Sequence, residues 1–345
     1  MLSQLPLWLR TALAAFVAGA VCCLYTLPVT RCAVALGAID RPGGRHVHTR
    51  PVPRMGGLAI ALGFFCAAAL LCPADRELSG LLGGALIVAA MGAVDDVRQL
   101  HPAEKLLGQF AAALLAVENG LQIRVLSGPG AAPLALPEAA AVALTLLWLV
   151  GCANAVNLID GLDGLAAGVS AIAGLSMMAA ALLCGEAETA VLLAALVGAC
   201  LGFLPCNRCP ARMFMGDAGS QFLGFTLAAA SVRGLFKFHA AMSFFVPLLA
   251  LSVPLADTAF AVFRRLLRGQ SPFLADRSHI HHRLLELGLS QRQAVAVLCG
   301  VSAALGLLSL LLAGTSGALR AVCLASALAA LLFVRKLLRK RRRNS

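Results

Sequence analysis

Charge is scarce in this chain: 13% of its 345 residues are Asp, Glu, Lys or Arg, 60% are hydrophobic, and the mean hydropathy is +0.88. That scarcity excludes a soluble domain with a large core and leaves an integral membrane protein. Two nucleotide-binding signatures are missing as well. No GxxxxGK[ST] loop occurs and no GxGxxG follows a strand pattern, so neither a P-loop nor a Rossmann site is present. No internal repeat is visible, and the polar residues, Asp257 apart, gather at one face rather than mid-bundle, which argues against a polytopic transporter. The twelve cysteines sit mostly in apolar runs, as at Cys22, Cys23, Cys66, Cys184, Cys200, Cys299 and Cys323. They pack as small hydrophobes and imply no disulfide framework. Only Cys206-Asn-Arg-Cys209 has a metal-like spacing, and one CxxC without a second pair or a nearby His pair falls short of a zinc site.

What the chain does have is apolar runs, centred near residues 19, 64, 86, 112, 146, 174, 196, 225, 251, 304 and 326. They predict an all-α, polytopic transmembrane helical bundle of about eleven spans, because a backbone in lipid must satisfy its own hydrogen bonds. The run near 112 is the least convincing, being short and ending at Glu118. The first run follows Arg10 as a signal peptide would, but the next loop carries Arg31, Arg41, Arg45, Arg50 and Arg54, so a retained span is expected. With eleven spans, alternate loops share a face, and one set together with the tail carries 22 of the 28 Lys and Arg. The positive-inside rule makes that face and the C-terminus cytoplasmic and puts the N-terminus outside. The net charge of +12 thereby reports topology rather than a nucleic-acid partner. Residues 1–334 are expected to form a single membrane-embedded domain, and 335–345 a basic cytoplasmic tail. All Asp but Asp75 and all His but His239 lie on or near the cytoplasmic face, whereas five of the seven Glu lie on the other.

Chemistry is therefore concentrated in five loops. The first, Asp40 to Gly57, mixes Arg with Gly and Pro and can present Arg54 and its neighbours to phosphate, or simply hold topology and attract anionic lipid. The second opens on Asp95-Asp96 at the end of an apolar run and continues to Lys105. Adjacent carboxylates there suggest a divalent cation or a proton acceptor; a cap for the following helix would need one Asp, not two. The central loop, Asn154-Ala-Val-Asn157-Leu-Ile-Asp160-Gly-Leu-Asp163-Gly164, places two amides and two carboxylates where a spanning helix should end, an expensive feature unless something polar binds. The fourth holds Phe214-Met-Gly216-Asp217-Ala-Gly219-Ser220, a turn in which Asp217 offers a hard oxygen suited to Mg2+ and phosphate. The fifth, Arg264 to Arg292, gathers Arg277, His279, His281, His282 and Arg283, either a transition-metal site or an anion and sugar grip; the flanking Arg residues favour the grip. Asp257, three residues after Pro254, either pairs with Arg264 or Arg265 at a helix end or serves the site. Together these groups suit phosphoryl chemistry on a nucleotide substrate.

The same motifs, Pro53-Arg54-Met-Gly56-Gly57, Asp95-Asp96, the Asn154 to Gly164 loop, Phe214 to Ser220 and His279-Ile-His281-His282, occur in fixed order over residues 40 to 292. By them the sequence resembles the polyprenyl-phosphate N-acetylhexosamine-1-phosphate transferases of the glycosyltransferase family 4 type, in particular the bacterial undecaprenyl-phosphate GlcNAc-1-phosphate transferases. The resemblance implies that undecaprenyl phosphate attacks a UDP-sugar, giving undecaprenyl-diphospho-sugar and UMP, at the cytoplasmic face of a bacterial plasma membrane, as the first membrane step of a cell-envelope glycan. It implies Mg2+, with Mn2+ as a substitute, on Asp217 and Asn157. Asp95 and Asp96 match the family's catalytic pair, and His281 and His282 join them as catalytic candidates. Lys105 matches a pyrophosphate-binding Lys, Asp163 and Phe214 match uracil contacts, and His279 belongs to the sugar and phosphate loop. Arg54, Asp160 and Arg283 complete the substrate-binding set, with Asp160 given no single role. The implied partners are the UDP-sugar, the polyprenyl phosphate lipid and the membrane; a homodimer is compatible with it. His-Ile-His-His is similar to the GlcNAc branch rather than the muramyl-pentapeptide branch, although another UDP-N-acetylamino sugar or UDP-MurNAc-pentapeptide remains the alternative. The Pro205 to Pro210 stretch departs from the aromatic-rich segment common in relatives.

Overall fold

The computed structural model describes residues 5–41, 50–126, 134–235, 242–267, 269 and 279–312. The run near 326, the basic tail, Arg45, Lys237, His239 and Arg277 lie outside the described residues. Within them the chain is helical apart from two short antiparallel pairs, β1 (Ile39–Asp40) with β2 (Val52–Pro53) and β3 (Val125–Leu126) with β4 (Leu134–Ala135).

The helices are α1 (Leu7–Ala35), α2 (Gly57–Leu71), α3 (Arg76–Arg98), α4 (Pro102–Glu118), α5 (Glu138–Ile159), α6 (Leu165–Leu183), α7 (Ala187–Asn207), α8 (Gly216–Ala230), α9 (Met242–Ala250), α10 (Ser252–Leu267), α11 (Ile280–Glu286) and α12 (Gln291–Leu312). Six of them, α1, α3, α5, α6, α7 and α12, are long and apolar enough to cross a membrane. α2 is apolar but only 15 residues long, and α4 has 17. Local signals start several helices. Asp75 caps α3 by accepting from the Leu78 amide at 2.8 Å, and His101 caps α4 in a reciprocal box with Glu104, with Pro102 at the first position.

The apolar run near 251 is divided in two at Leu251. Pro254 has no amide hydrogen to give the Ala250 carbonyl, so the helical ladder breaks there. Past the break α10 is two-faced: Asp257, Ala261 and Arg265 are buried while Phe260, Phe263 and Leu267 are exposed.

α8 and the middle of α7 are buried on every side, whereas α1 shows Trp8, Phe16 and Leu24 outward. α8 packs against α2, α3 and α5. Its N-terminus therefore emerges at the centre of the bundle, where Arg54, Asp95, Asp96, Asn157 and Asp160 also lie, because α2 and α6 start, and α3 and α5 finish, at the same end.

Candidate active site

Asp96 is buried, and its function in the fold is plain from its partners. Oδ1 accepts the Asp217 amide at 2.9 Å and Oδ2 the Ala218 amide at 3.1 Å, so a carboxylate from α3 caps the N-terminus of α8, 121 residues away. Gly216 makes the approach work: its φ is +71°, and a Cβ there would stand 2.3 Å from Asp96 Oδ2. Arg54 Nε lies 3.6 Å from Asp96 Oδ1. The Arg54 loop is itself tied to the turn before α8, with the Phe214 amide donating to Pro53 O at 2.9 Å and the Gly56 amide to Phe214 O at 2.9 Å.

Asp95 points the other way. Oδ1 accepts the Leu100 amide at 2.6 Å, and Oδ2 pairs with the Lys105 ammonium, which also reaches Asp217 Oδ2 at 2.9 Å. One internal cation thus bridges the second and fourth loops. Asp217 Oδ2 accepts in addition from Gln221 Nε2 at 2.9 Å, and Gln221 Oε1 accepts from Gln109 Nε2 at 2.8 Å. Gln109 Oε1 in turn accepts from Asn154 Nδ2 at 2.6 Å. Gln109 and Gln221 are 0% and 1% exposed, so this chain of amides is a buried support beneath Asp217. Asn157 spends Nδ2 on Ser220 Oγ at 2.9 Å, which leaves its amide oxygen, with Asp217, as the hard oxygens on offer to a cation. Among the described residues no group of three His, Cys, Asp or Glu converges as a metal cage, Cys206 and Cys209 included; Cys209 Sγ instead donates to Gln291 Oε1 at 3.3 Å.

Above this layer opens a pocket of about 330 Å3, lined by Arg54, Asn157, Asp160, Asp163, Phe214, Asp217 and His282 among others. Asp163 Oδ2 accepts the Ala211 amide at 3.0 Å. Partial burial, with the negative charges of Asp217, Asp96 and Asp163 only partly offset by Arg54, pushes the Asp160 carboxyl up to about 7.

The His loop closes one side. His279 Nδ1 donates to Asp257 Oδ2 at 2.9 Å and the Ile280 amide to Asp257 Oδ1 at 2.8 Å. Asp257, whose role the sequence left between a helix-end ion pair and the site, is therefore a clamp on the His loop. His281 stacks parallel to His279 with ring centroids 5.7 Å apart and lies against Gly161, where a Cβ would come within 2.3 Å of its Nε2. Burial, beside the other two His, lowers the His281 pKa to about 4, so its ring is neutral at physiological pH.

Of the residues singled out from sequence, Arg54, Asn157, Asp160, Asp163, Phe214, Asp217 and His282 line the pocket; Asp95, Asp96 and Lys105 form its support; His279 and His281 are packed behind it. Arg283 is exposed and takes no part in the lining. Gln109, Gln221 and Asn207 also hold the site together and did not stand out in the sequence. A signal existed for the first two, each an isolated amide in an apolar run four residues after Lys105 or Asp217, one helical turn along the same face. Asn207 joins the two loops of the pocket wall, accepting the Gly164 amide at 3.0 Å and donating to Met213 O at 3.0 Å.

A family model, glycosyl transferase family 4, matches residues 78–235, the segment holding the Asp95, Asn157 and Asp217 loops. The chain is 41% identical over 289 residues to a probable undecaprenyl-phosphate N-acetylglucosaminyl 1-phosphate transferase of Bacillus subtilis (strain 168), covering 82% of this chain and 80% of the relative. It is 37% identical over 318 residues to the decaprenyl-phosphate N-acetylglucosaminephosphotransferase of Mycobacterium tuberculosis, covering 83% and 78%. The chain belongs to glycosyl transferase family 4. As a member it is a multi-pass membrane enzyme of the phosphoglycosyltransferase class. A more distant relative, the undecaprenyl-phosphate alpha-N-acetylglucosaminyl 1-phosphate transferase of Escherichia coli (strain K12), is 28% identical over 82% of this chain and 78% of its own length.

Proposed function

We propose that this family 4 enzyme transfers GlcNAc-1-phosphate from UDP-GlcNAc to undecaprenyl phosphate, or a related polyprenyl phosphate, opening the synthesis of a cell-envelope glycan. The observation that carries the reading is the meeting of Arg54, Asn157, Asp163, Phe214, Asp217 and His282 around one pocket above the Asp95–Lys105–Asp217 bridge. The names of the relatives at 41% and 37% identity supply the sugar and the lipid.

In this reaction an oxygen of the lipid phosphate attacks the β-phosphorus of the UDP-sugar. The bond from that phosphorus to the bridging oxygen breaks, and UMP leaves with the electron pair. A phosphate monoester has its second pKa near 6, so at neutral pH the acceptor is largely a dianion and direct attack needs little help from a base. Asp95 orients Lys105, whose ammonium meets the diphosphate; Arg54 adds a second cation; Asp163 and Phe214 hold the uracil; His282 donates a hydrogen bond to sugar or phosphate oxygens, and His281, packed against Gly161, positions it. Asp96 keeps the N-terminus of α8, and hence Asp217, in position. Mg2+, or Mn2+ in its place, held by Asp217 and Asn157, would neutralise developing charge on the diphosphate. Such an oxygen donor set fits a hard cation that takes its other ligands from substrate and water.

Around the site we propose the eleven-span arrangement, residues 1–334 as one domain, N-terminus outside, with pocket and basic tail facing the bacterial cytoplasm. The excess of Lys and Arg in the loops at the pocket end supports it. Accessibility of cysteines placed at His282 and in the tail should map both to the cytoplasmic side; finding them on opposite sides overturns the topology. The decisive assay for function is transfer of radiolabel from UDP-GlcNAc into a lipid fraction by purified protein given undecaprenyl phosphate, with release of UMP. Label transferred only from UDP-GalNAc or UDP-MurNAc-pentapeptide would move the sugar assignment, and UMP release without acceptor would sink direct attack.

A further inference from the structure

A second cleft, of about 690 Å3, lies next to the pocket and shares Asp163 with it. Its wall is apolar, Leu204 from the last turn of α7 with Val295 and Ala296 from the start of α12, two helices apolar enough to cross a membrane. Arg208, Arg212 and Arg292 line the same cleft, and all three are exposed. Arg292 donates through Nε and Nη2 to Cys209 O at 3.2 and 2.9 Å. Among the described residues none of the three makes an ion pair.

Three like charges around one concavity repel unless an anion sits among them, and guanidinium forks match phosphate oxygens in pairs. An apolar wall at the ends of two span helices suits the acyl or glycerol part of a lipid, where a free anion would gain nothing from it. We propose that this cleft binds the phosphodiester headgroup of an anionic phospholipid from the leaflet on the pocket side.

The cleft is wired to the pocket. The segment from Asn207 to Phe214 carries Arg208 and Arg212, and the same segment holds the wall of the pocket: the Ala211 amide donates to Asp163 Oδ2 at 3.0 Å, and Asn207 accepts from Gly164 at 3.0 Å. A headgroup gripping Arg208 and Arg212 fixes that segment and with it Asp163. The binding claim stands on the cleft alone; its effect on substrate affinity rests on the proposed nucleotide role of Asp163.

The test uses full-length protein. In native mass spectrometry from detergent, wild type should retain phosphatidylglycerol over phosphatidylcholine. At roughly fivefold per Arg near an anionic headgroup, R208Q/R212Q should bind phosphatidylglycerol about twenty-fivefold more weakly. If the double variant does not fold, R208Q and R212Q singly should each show about fivefold. In nanodiscs, adding phosphatidylglycerol to phosphatidylcholine should lower the KM for UDP-GlcNAc in wild type with kcat unchanged, and should do nothing in R208Q/R212Q. Equal retention of the two lipids by wild type, or undiminished phosphatidylglycerol binding by folded R208Q/R212Q, overturns the proposal. So does full competition by glycerol phosphate, which would make the cleft a site for soluble phosphate. Absence of any transfer from UDP-GlcNAc would count against the proposed function and leave the lipid-retention result standing on its own.

Discussion

The two ends of the bundle treat charge in opposite ways. At the end away from the pocket, Arg10 holds Glu188 at 2.7 Å and also donates to Leu71 O at 2.7 Å, while Arg233 forms a two-pronged pair with Asp75, the longer contact being 2.9 Å. Each of these two carboxylates has its own guanidinium. At the pocket end, Asp95, Asp96, Asp160, Asp163 and Asp217 face Lys105 and Arg54, and backbone amides and buried glutamines supply the rest of their partners. A pair satisfied within the protein fastens helices together; an excess of carboxylate held rigidly by neutral donors is a place prepared for cations and phosphate. The same residue type is structural at one end and chemical at the other because of what surrounds it.

The sharpest way to break this contrast is Asp217→Ala. It removes the one carboxylate that contacts Lys105, the glutamine support and the pocket together, so transfer should fall by about a thousandfold or more. The variant should still fold, because Asp96 caps α8 through backbone amides that the substitution keeps. Activity within threefold of wild type, in protein with an unchanged melting curve, would remove Asp217 from the site.

Second in size is Gln221→Leu. The amide contacts no substrate in this scheme; it holds Asp217 and is held by Gln109. Groups that orient a metal ligand typically matter about 10–100-fold, and the loss should appear as a raised Mg2+ requirement, with direct Mn2+ binding weakened alongside. A variant that melts earlier yet keeps the wild-type metal requirement would make the relay a packing device only.

Asp217 and Gln221 differ in how visible they are in the sequence. Asp217 stood out in its Gly-Asp-x-Gly-Ser turn, and the apolar runs located α1 to α8 because hydrophobicity is a local property. Gln109 and Gln221 were hidden in such runs, since a lone amide has no meaning until its partner on another helix is known. The paired Asp95-Asp96 is the clearest case. The following helix is capped by His101, not by either Asp, and Asp96 does cap a helix, but one that starts 120 residues later. Composition also could not mark the break at Leu251, where the missing amide hydrogen of Pro254 makes two helices of one apolar run.

A smaller effect should follow from Asp160→Asn. The Asp160 carboxyl, pushed up to about 7 from an ordinary value of 3.8, favours its protonated form in the folded protein. Its contribution to stability is therefore present at low pH and lost as pH rises through about 7. Removing the charge should raise Tm by roughly 2–4 °C at pH 8 and change it little at about pH 3.5, below the ordinary carboxylate value. An equal shift at both pH values would mean that the side chain acts by packing, not by charge.

The smallest effect on catalysis, and the test that isolates the other end, is Arg10→Met. Arg10 is 6% exposed and joins α1, through Glu188 and Leu71 O, to the start of α7 and the end of α2. Without it, Glu188 loses its partner but stays one-third open to solvent, so the penalty is smaller than for a sealed pair, about 1–3 kcal/mol. Methionine keeps the packing volume of the stem, which limits any cavity. Since the pocket lies at the opposite end of these helices, kcat and KM per folded molecule should match wild type while the melting temperature falls. Glu188→Gln in the same background should restore part of the lost stability by discharging the orphaned carboxylate. If Arg10→Met instead lowers kcat without moving the melting curve, the two ends are coupled through α7, and the division into a structural end and a chemical end fails.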